Sequence, residues 1–479
     1  MIMSWLIYKR GKIEPFRAAI PLRAVFKFQK HASGAVQPRT FYVNTGEKLY
    51  WNWEKETFDR YWRKLVDFWR SPAKTKKHFE TMAAQTARAI KAADRTIAWR
   101  LDKFSDDDLV KIHSRLLEAI LPAHFILNTE VDAIDIFFTD FFKKIVAGEL
   151  PAGTPPEIID DVFKALILPV SRSYINKQER FILSLAVKRD FSLAAARRAY
   201  RRFFWTNLGW ENMRPHSLEY FQKLIRRKGG AKDLRDQTRH LDDFLKNNRR
   251  LRNECLKKYR LSAALKRWLA ISDWYIDYHD KRKEVQVKTT YAAYLILREV
   301  ARRRHLNPDD LEWLWHDELI AVLRGRRLDQ QEIKRRRQAI AALVGYHKFQ
   351  FWSGTKASET KKKYVKIDRP SVRELRGMGV MGGLIRGRVK VCAGAAEALA
   401  KIKSGDILVC PMTLPDYLPA MRKAKAIITE EGGITCHAAI IARELKIPCV
   451  VGTKIATEVL RDGDKVAIDA RRGIIKILN

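Results

Sequence analysis

The residues best equipped for chemistry stand together in Gly432-Gly433-Ile434-Thr435-Cys436-His437-Ala438-Ala439-Ile440-Ile441-Ala442-Arg443-Glu444-Leu445. This string runs between two short apolar stretches, 426–429 and 448–451, that read as strands. The glycine pair permits a left-handed or crowded turn where the first strand ends. Thr435 then caps the following helix and puts His437 in its first turn. Unpaired backbone N–H groups and the positive helix end favour an anion there, such as a phosphoryl group on the imidazole. The same field favours the neutral ring, which a nucleophile attacking phosphorus must be. Ala438 and Ala439 are read as leaving room for a bulky donor, and Ile440, Ile441 and Leu445 as anchoring the helix in a core.

The elements that must position this string have a texture of their own. Segments 386–392, 405–410, 426–429 and 448–451 read as strands, 395–403, 415–424 and 437–446 as helices. Segments 465–469 and 473–478 read as a closing hairpin around 470–472. Residues 375–479 are therefore expected to form a compact α/β domain. Upstream, 353–374 is rich in Ser, Thr, Gly, Pro and Lys and reads as a linker. Residues 56–352 read as a mainly α-helical body, with helices at 191–206, 217–227, 232–256, 262–304 and 328–344. Ser105 with Asp106, Asp107 and Asp108 has the form of a helix cap with an acidic first turn. Asn307-Pro308-Asp309-Asp310 repeats the device, with Leu311, Trp315 and Leu319 following at four-residue steps. Residues 1–55 read as an aromatic-rich hairpin or irregular segment, its strands flanking Thr45-Gly46-Glu47.

The string from Gly432 to Arg443 resembles the active-site signature of the phosphoenolpyruvate (PEP)-utilising enzymes: PEP synthase, pyruvate phosphate dikinase and enzyme I of the sugar phosphotransferase system. The resemblance continues through Glu444, Leu445, Ile447-Pro448 and Val450-Val451-Gly452. Gly405-Asp-Ile-Leu-Val, Met412-Thr-Leu-Pro-Asp416 and Ala426-Ile-Ile-Thr resemble the same domain's earlier strands, and Thr-Cys-His is most similar to the PEP synthase form. It spans residues 375–479 and implies a swivelling phosphohistidine domain, in which His437 takes a phosphoryl group at one active site and delivers it at another. The resemblance also implies that Thr435 hydrogen-bonds the imidazole or the phosphate, and that Gly432, Gly433, Cys436 and Ala438 form the phosphate loop. Thr413 and Asp416 either shape the facing loop or serve packing alone. Arg443 lies about 240° around the helix from His437, off its face; an ion pair suits it better than a phosphate contact.

That family also carries an ATP-grasp nucleotide domain and, commonly, a PEP/pyruvate TIM barrel. Neither is recognisable here: residues 1–370 contain no Gly-rich phosphate loop and no run of βα units of barrel length. The phosphohistidine domain itself is expected to bind no cofactor. Mg-ATP or PEP would sit on a separate ATP-grasp or PEP-binding partner, and a small-molecule phosphoryl acceptor in the helical body. That body resembles the helical segment preceding the phosphohistidine domain in PEP-synthase-like phosphotransferases such as rifampicin phosphotransferase. Within 273–284, Tyr278, His279 and Arg282 stand among Asp273, Asp277, Asp280 and Glu284 and are candidates for the acceptor pocket. An amphipathic helix laced with intrahelical ion pairs explains the same spacing. His113, His240 and His316 read as single surface or boundary residues.

Bulk properties narrow the alternatives. The chain has 93 Lys+Arg against 55 Asp+Glu, a formal charge of +38. Residues 374–479 hold only 17 basic and 11 acidic residues, so most of the excess belongs to the helical body. Such a body suits nucleic acid or an acidic partner, and a non-catalytic regulator or scaffold built on a phosphohistidine domain is the alternative function. A solvated basic surface without a specific partner fits the same count. Cys255, Cys392, Cys410, Cys436 and Cys449 form no motif with metal-ligand spacing, so they read as reduced thiols and no metal site is expected. No apolar run is long enough to span a membrane, and the apolar start at 1–8 is too short for a signal segment, so a cytoplasmic protein is expected.

Overall fold

The computed structural model describes residues 5–10, 15–28, 31–45, 49–209, 213–230, 233–345, 348–364, 372–413, 417–432 and 436–478. The chain divides into two compact units, Met1–Lys366 and Ile367–Asn479. The first is mainly helical and the second is α/β, as the sequence pattern predicts.

Three long helices dominate the first unit: Pro72–Ala98, Asp106–Glu149 and Ala263–Arg303, each packed on the other two. The second begins where expected. Ser105 Oγ accepts the Asp108 N–H at 3.1 Å and the Asp108 carboxylate accepts the Ser105 N–H at 3.3 Å, a reciprocal capping box. Asn307 likewise caps the helix that starts at Pro308, its Oδ1 accepting the Asp309 N–H, but that helix stops at Leu311; the expected Trp315 and Leu319 face belongs to a second helix, His316–Leu323. It starts there because the Glu318 carboxylate accepts the Trp315 N–H at 2.8 Å.

The same unit holds a sheet larger than the expected hairpin. Strands β1 (Trp5–Arg10), β2 (Thr40–Asn44), β3 (Leu49–Glu54), β4 (Ile340–Gly345) and β5 (Lys348–Ser353) run antiparallel in the order β1-β3-β2-β4-β5. The predicted pairing of β2 with β3 is present, with Tyr42 opposite Trp51. It is no separate segment, however, because β2 also pairs with β4, Phe41 facing Leu343. The helix expected over 328–344 ends at Gln338, and Ile340-Ala-Ala-Leu-Val-Gly345 is a strand buried along its whole length. A short apolar run of this kind is compatible with either element, and pairing with β2 decides it. The expected linker also contains a helix, Gly354–Tyr364, which packs on β4 and β5.

The second unit is an eight-stranded sheet: β6 (Glu374–Arg376), β7 (Met378–Met381), β8 (Leu384–Val391), β9 (Ile407–Cys410), β10 (Ala426–Thr429), β11 (Cys449–Val451), β12 (Lys465–Asp469) and β13 (Ile474–Leu478). Their order is β6-β13-β12-β8-β9-β10-β11-β7. The central β8, β9, β10 and β11 are parallel, and the outer pairings are antiparallel. Buried on both faces, the central strands divide alternate residues between two cores. Leu408, Cys410, Ile427, Cys449 and Val451 face the helix His437–Leu445, while Ile407, Val409, Ala426, Ile428 and Val450 face Val466, Ile468 and Ile475. Short β6 and β7 fall where the linker was expected to end. Only Gly377 separates them, yet they occupy the two ends of the strand order, so the sheet curls until its edges meet at that residue. A Cβ on Gly377 would stand 2.6 Å from the Val451 carbonyl oxygen, which leaves no side chain room at the seam.

Candidate functional site

The C-terminal ends of β9, β10 and β11 converge on one edge, where open parallel sheets bind ligands. Backbone and side-chain hydrogen bonds tie these ends together. Glu430 N–H donates to the Cys410 carbonyl at 3.2 Å and Glu431 N–H to that of Pro411 at 2.9 Å. The Thr429 carbonyl accepts from the Thr453 N–H at 3.1 Å and from its hydroxyl at 2.9 Å. Glu430 is buried, and its carboxylate accepts the N–H and hydroxyl of Thr457 at 2.7 and 2.6 Å. Thr453, Glu430 and Thr457 were not anticipated, since they stand 24 and 27 residues from their partners and nothing local marks them.

From this edge the chain turns into the His437 helix. Gly432 has φ +105°, within the region glycine favours, as the sequence requires. A Cβ there would lie 2.7 Å from the Cys436 sulfur and 2.8 Å from its Cβ. The capping position falls on Cys436, one residue later than expected, with φ −71° and ψ 165°, and His437 is the first helical residue. The Cys436 thiol lies by the Ala439 and Ala438 amides without making a capping hydrogen bond; burial pushes it up against their opposing pull. Gly433, Thr435 and Asp416 lie outside the described residues, as does the His437 side chain. Thr413 is buried just beyond β9.

The helix carries its alanines inward. Ala438, Ala439 and Ala442 are buried against the sheet, with Ile441 and Leu445 only partly buried. The sequence reading therefore misplaces Ala438 and Ala439: their small size lets the helix approach the strands closely instead of making room for a donor. Arg443 is half-buried and, among the described residues, has no carboxylate partner. Desolvation lowers its pKa, and the nearest influences are Cys436 and Cys449. Seven residues after Cys436, it shares that residue's face of the helix.

The acceptor-pocket candidates lie on the helix Ala263–Arg303. Tyr278 is buried and stacks on Trp274 at 4.0 Å, which stacks in turn on Phe79 at 3.6 Å. Arg282 is buried and donates to Asp132 at 2.9 Å, while the exposed His279 stands 3.1 Å from the same guanidinium. Asp273 pairs with Arg252 of another helix and Asp280 accepts the Tyr174 N–H, whereas Glu284 makes intrahelical pairs with Lys281 and Lys288. Asp273, Asp280 and Arg282 thus bind this helix to others, while Glu284 laces it internally.

Other histidines depart further from expectation. His113 and His316 are buried, with Nε2 and Nδ1 2.9 Å apart, because the helices Asp106–Glu149 and His316–Leu323 bring them together. His31, His78 and Glu130 form a second cluster. His31 Nε2 lies 3.1 Å and His78 Nε2 2.9 Å from the same Glu130 oxygen. Burial opposes ionisation of Glu130, yet the charges and hydrogen bonds of the two imidazoles hold it down at about 2.

Among the described residues no helix is long and apolar enough to cross a membrane, and all five cysteines are free thiols. Residues 402–473 match the family described as PEP-utilising enzyme, mobile domain. Probable PEP synthases of Archaeoglobus fulgidus and Methanothermobacter thermautotrophicus are 54% and 56% identical over 101 residues. These alignments cover 21% of this chain but only 13% and 15% of those enzymes. The uncharacterized phosphotransferase YvkC of Bacillus subtilis is 35% identical over 183 residues, 36% of this chain and 21% of that one. That stretch exceeds the second unit, 367–479, so it includes part of the first. Among solved structures, the holo-form of Thermococcus kodakaraensis aconitase X is 27% identical, covering 22% of this chain and 98% of that one, with a TM-score of 0.19. The chain thus spans a small part of its curated relatives, and what it shares with them includes residues 402–473, which match the mobile domain of PEP-utilising enzymes.

Proposed function

We propose that this chain is a phosphotransferase component that carries a phosphoryl group on His437 between a donor site outside these residues and an acceptor held by the helical unit. The observation that supports this most is the position of His437. It opens a helix at the C-terminal edge of a parallel sheet, five residues after the positive-φ Gly432, within residues matching a PEP-utilising mobile domain. The positive end of a helix suits a phosphoryl group. The reaction is two in-line displacements. A ring nitrogen of His437 attacks the phosphorus of a nucleotide or PEP, an N–P bond forms and the donor P–O bond breaks. The acceptor's nucleophile then attacks phosphorus, the N–P bond breaks, and the acceptor loses its proton to solvent or a base. Positioning and charge neutralisation supply the rate. The alignment with the Bacillus subtilis phosphotransferase extends into the helical unit, which supports a role for that unit in the same chemistry.

The test is labelling. Cell extract supplies the donor enzyme, and labelled ATP and labelled PEP are tried separately. The wild-type chain is expected to gain acid-labile, base-stable label, and His437→Ala to gain none. Equal labelling of both chains overturns the proposal.

A further inference from the structure

The helical unit contains a group of side chains that the phosphohistidine chemistry leaves unused. His31 lies in the turn following the helix Pro15–Lys27, His78 on the helix Pro72–Ala98 and Glu130 on the helix Asp106–Glu149. One donor atom from each lies within 4.8 Å of the others. The three residues are 4%, 4% and 0% exposed, so water does not solvate the carboxylate. The imidazoles meet edge to face with centroids 4.8 Å apart, and Phe68 and Tyr61 close around them. Two imidazole nitrogens and one carboxylate oxygen converging from three segments are a donor set for a first-row divalent transition ion. Nitrogen donors disfavour Mg²⁺ and Ca²⁺.

A second observation concerns the polar groups beside the cluster. The Tyr61 hydroxyl and both amide atoms of Gln37 are buried and form no hydrogen bond of good geometry among the described residues, although the two side chains face each other. Tyr61 stands beside both Gln37 and Glu130. The buried Thr86 hydroxyl lies against the Tyr278 side chain. Buried polar groups in folded proteins are almost always well satisfied, so the poor geometry at Tyr61 and Gln37 leaves these groups able to turn towards an ion at the His/His/Glu cluster.

We propose that His31, His78 and Glu130 bind one divalent transition-metal ion of the zinc class, with Tyr61 completing the coordination directly or through a water held by Gln37. The ion pins the 31–34 turn to the two long helices, and its burial makes it structural. His31 Nδ1 lies 2.9 Å from Ser33 Oγ, an acceptor that fixes the ring with Nε2 facing the metal. The Ser33 N–H, 3.0 Å from the same nitrogen, favours the opposite tautomer, in which Nε2–H donates to Glu130. Metal binding at Nε2 therefore requires the Nδ1–H tautomer, which donates to Ser33 Oγ.

The experiment uses the full chain, purified without a metal-affinity tag. Elemental analysis is expected to find about one equivalent of metal, retained through gel filtration and dialysis against a chelator. The cobalt-substituted protein is expected to show visible bands without a thiolate charge-transfer band. X-ray absorption of the wild type is expected to count two imidazoles with oxygen ligands. Glu130→Gln and His78→Ala should each weaken binding by more than about 100-fold, beyond the loss seen when only an outer-sphere partner is removed. Tyr61→Phe, which keeps the ring, should alter the cobalt spectrum. Substoichiometric metal, a thiolate band, or one imidazole or none overturns the proposal, and these wild-type readouts stand even where a variant does not fold.

Discussion

Replacing Gly432 by alanine tests how tightly the turn before His437 is built. At φ +105° an L-residue costs about 1–2 kcal/mol through its Cβ. The new Cβ also meets the Cys436 sulfur at 2.7 Å and Cβ at 2.8 Å, whereas carbon contacts settle near about 3.5–4.0 Å. The two residues must therefore part by about 1 Å, and overpacking of that kind costs about 1–3 kcal/mol. Together Gly432→Ala should lose about 2–5 kcal/mol, against a total stability of roughly 5–15 kcal/mol for a domain. Calorimetry on the full chain should show one transition falling by about 10 °C or more. Cys436→Gly removes both opposing atoms, so in the double variant the steric share should vanish while the backbone share remains. The double-variant cycle should then return a favourable coupling of about 1–3 kcal/mol. Because Cys436 directly precedes His437, the alanine variant should also accept label more slowly, on the order of 100-fold for a displacement of about 1 Å. Additivity within about 0.5 kcal/mol, or an unchanged melting point, would refute the close Gly432–Cys436 packing.

Two further predictions concern stability. Glu430→Ala removes a buried carboxylate that accepts two hydrogen bonds from Thr457, and should cost about 2–3 kcal/mol in denaturant titration. Glu430→Gln keeps the accepting oxygen and should cost less than half as much; equal costs would show that the carboxylate merely fills space. Acid should also destabilise the helical unit through its buried histidines. Burial holds His113 near 4 and His124 near 3, and drives His316 well below the ordinary value. These rings are neutral when folded and charge on unfolding, so the unfolded chain binds more protons below about pH 6.5, and stability falls as pH drops from there towards 4. Each contributes up to about 1.4 kcal/mol per pH unit, a slope that denaturant titrations between pH 7 and 5 would measure. A flat profile would contradict the burial of these rings.

What the sequence reveals depends on how local each determinant is. The strands of the second unit are legible because Gly405, Gly432 and the Val- and Ile-rich runs between them punctuate the chain, and each core strand is a short apolar block. Likewise, the start of the helix Asp106–Glu149 is legible because both partners of its cap lie within four residues. β6 and β7, three and four residues long, carry no periodicity to read. β4 has the composition of a buried helix, and only its pairing with β2 makes it a strand. The helix Gly354–Tyr364 is masked by Lys361, Lys362 and Lys363, whose charges suggest a loop but suit the negative end of a helix. At the candidate site, Gly432 and His437 are visible in one short string, whereas the Glu430–Thr457 contact is not. The His31–His78–Glu130 cluster is the extreme case, since its members are 99 and 52 residues apart in sequence to Glu130 and each looks ordinary alone.

The junction of β6 and β7 at Gly377 bears on solubility. An open eight-stranded sheet offers two rows of unpaired amides and carbonyls, each a template on which another copy can add a strand. Here consecutive strands form both borders, so each border is turned towards the other and away from a neighbour. In the proposed carrier role the domain meets a donor and an acceptor in turn. Folding its borders inward lets it do so without polymerising, and places that protection in the residues that first enter the domain.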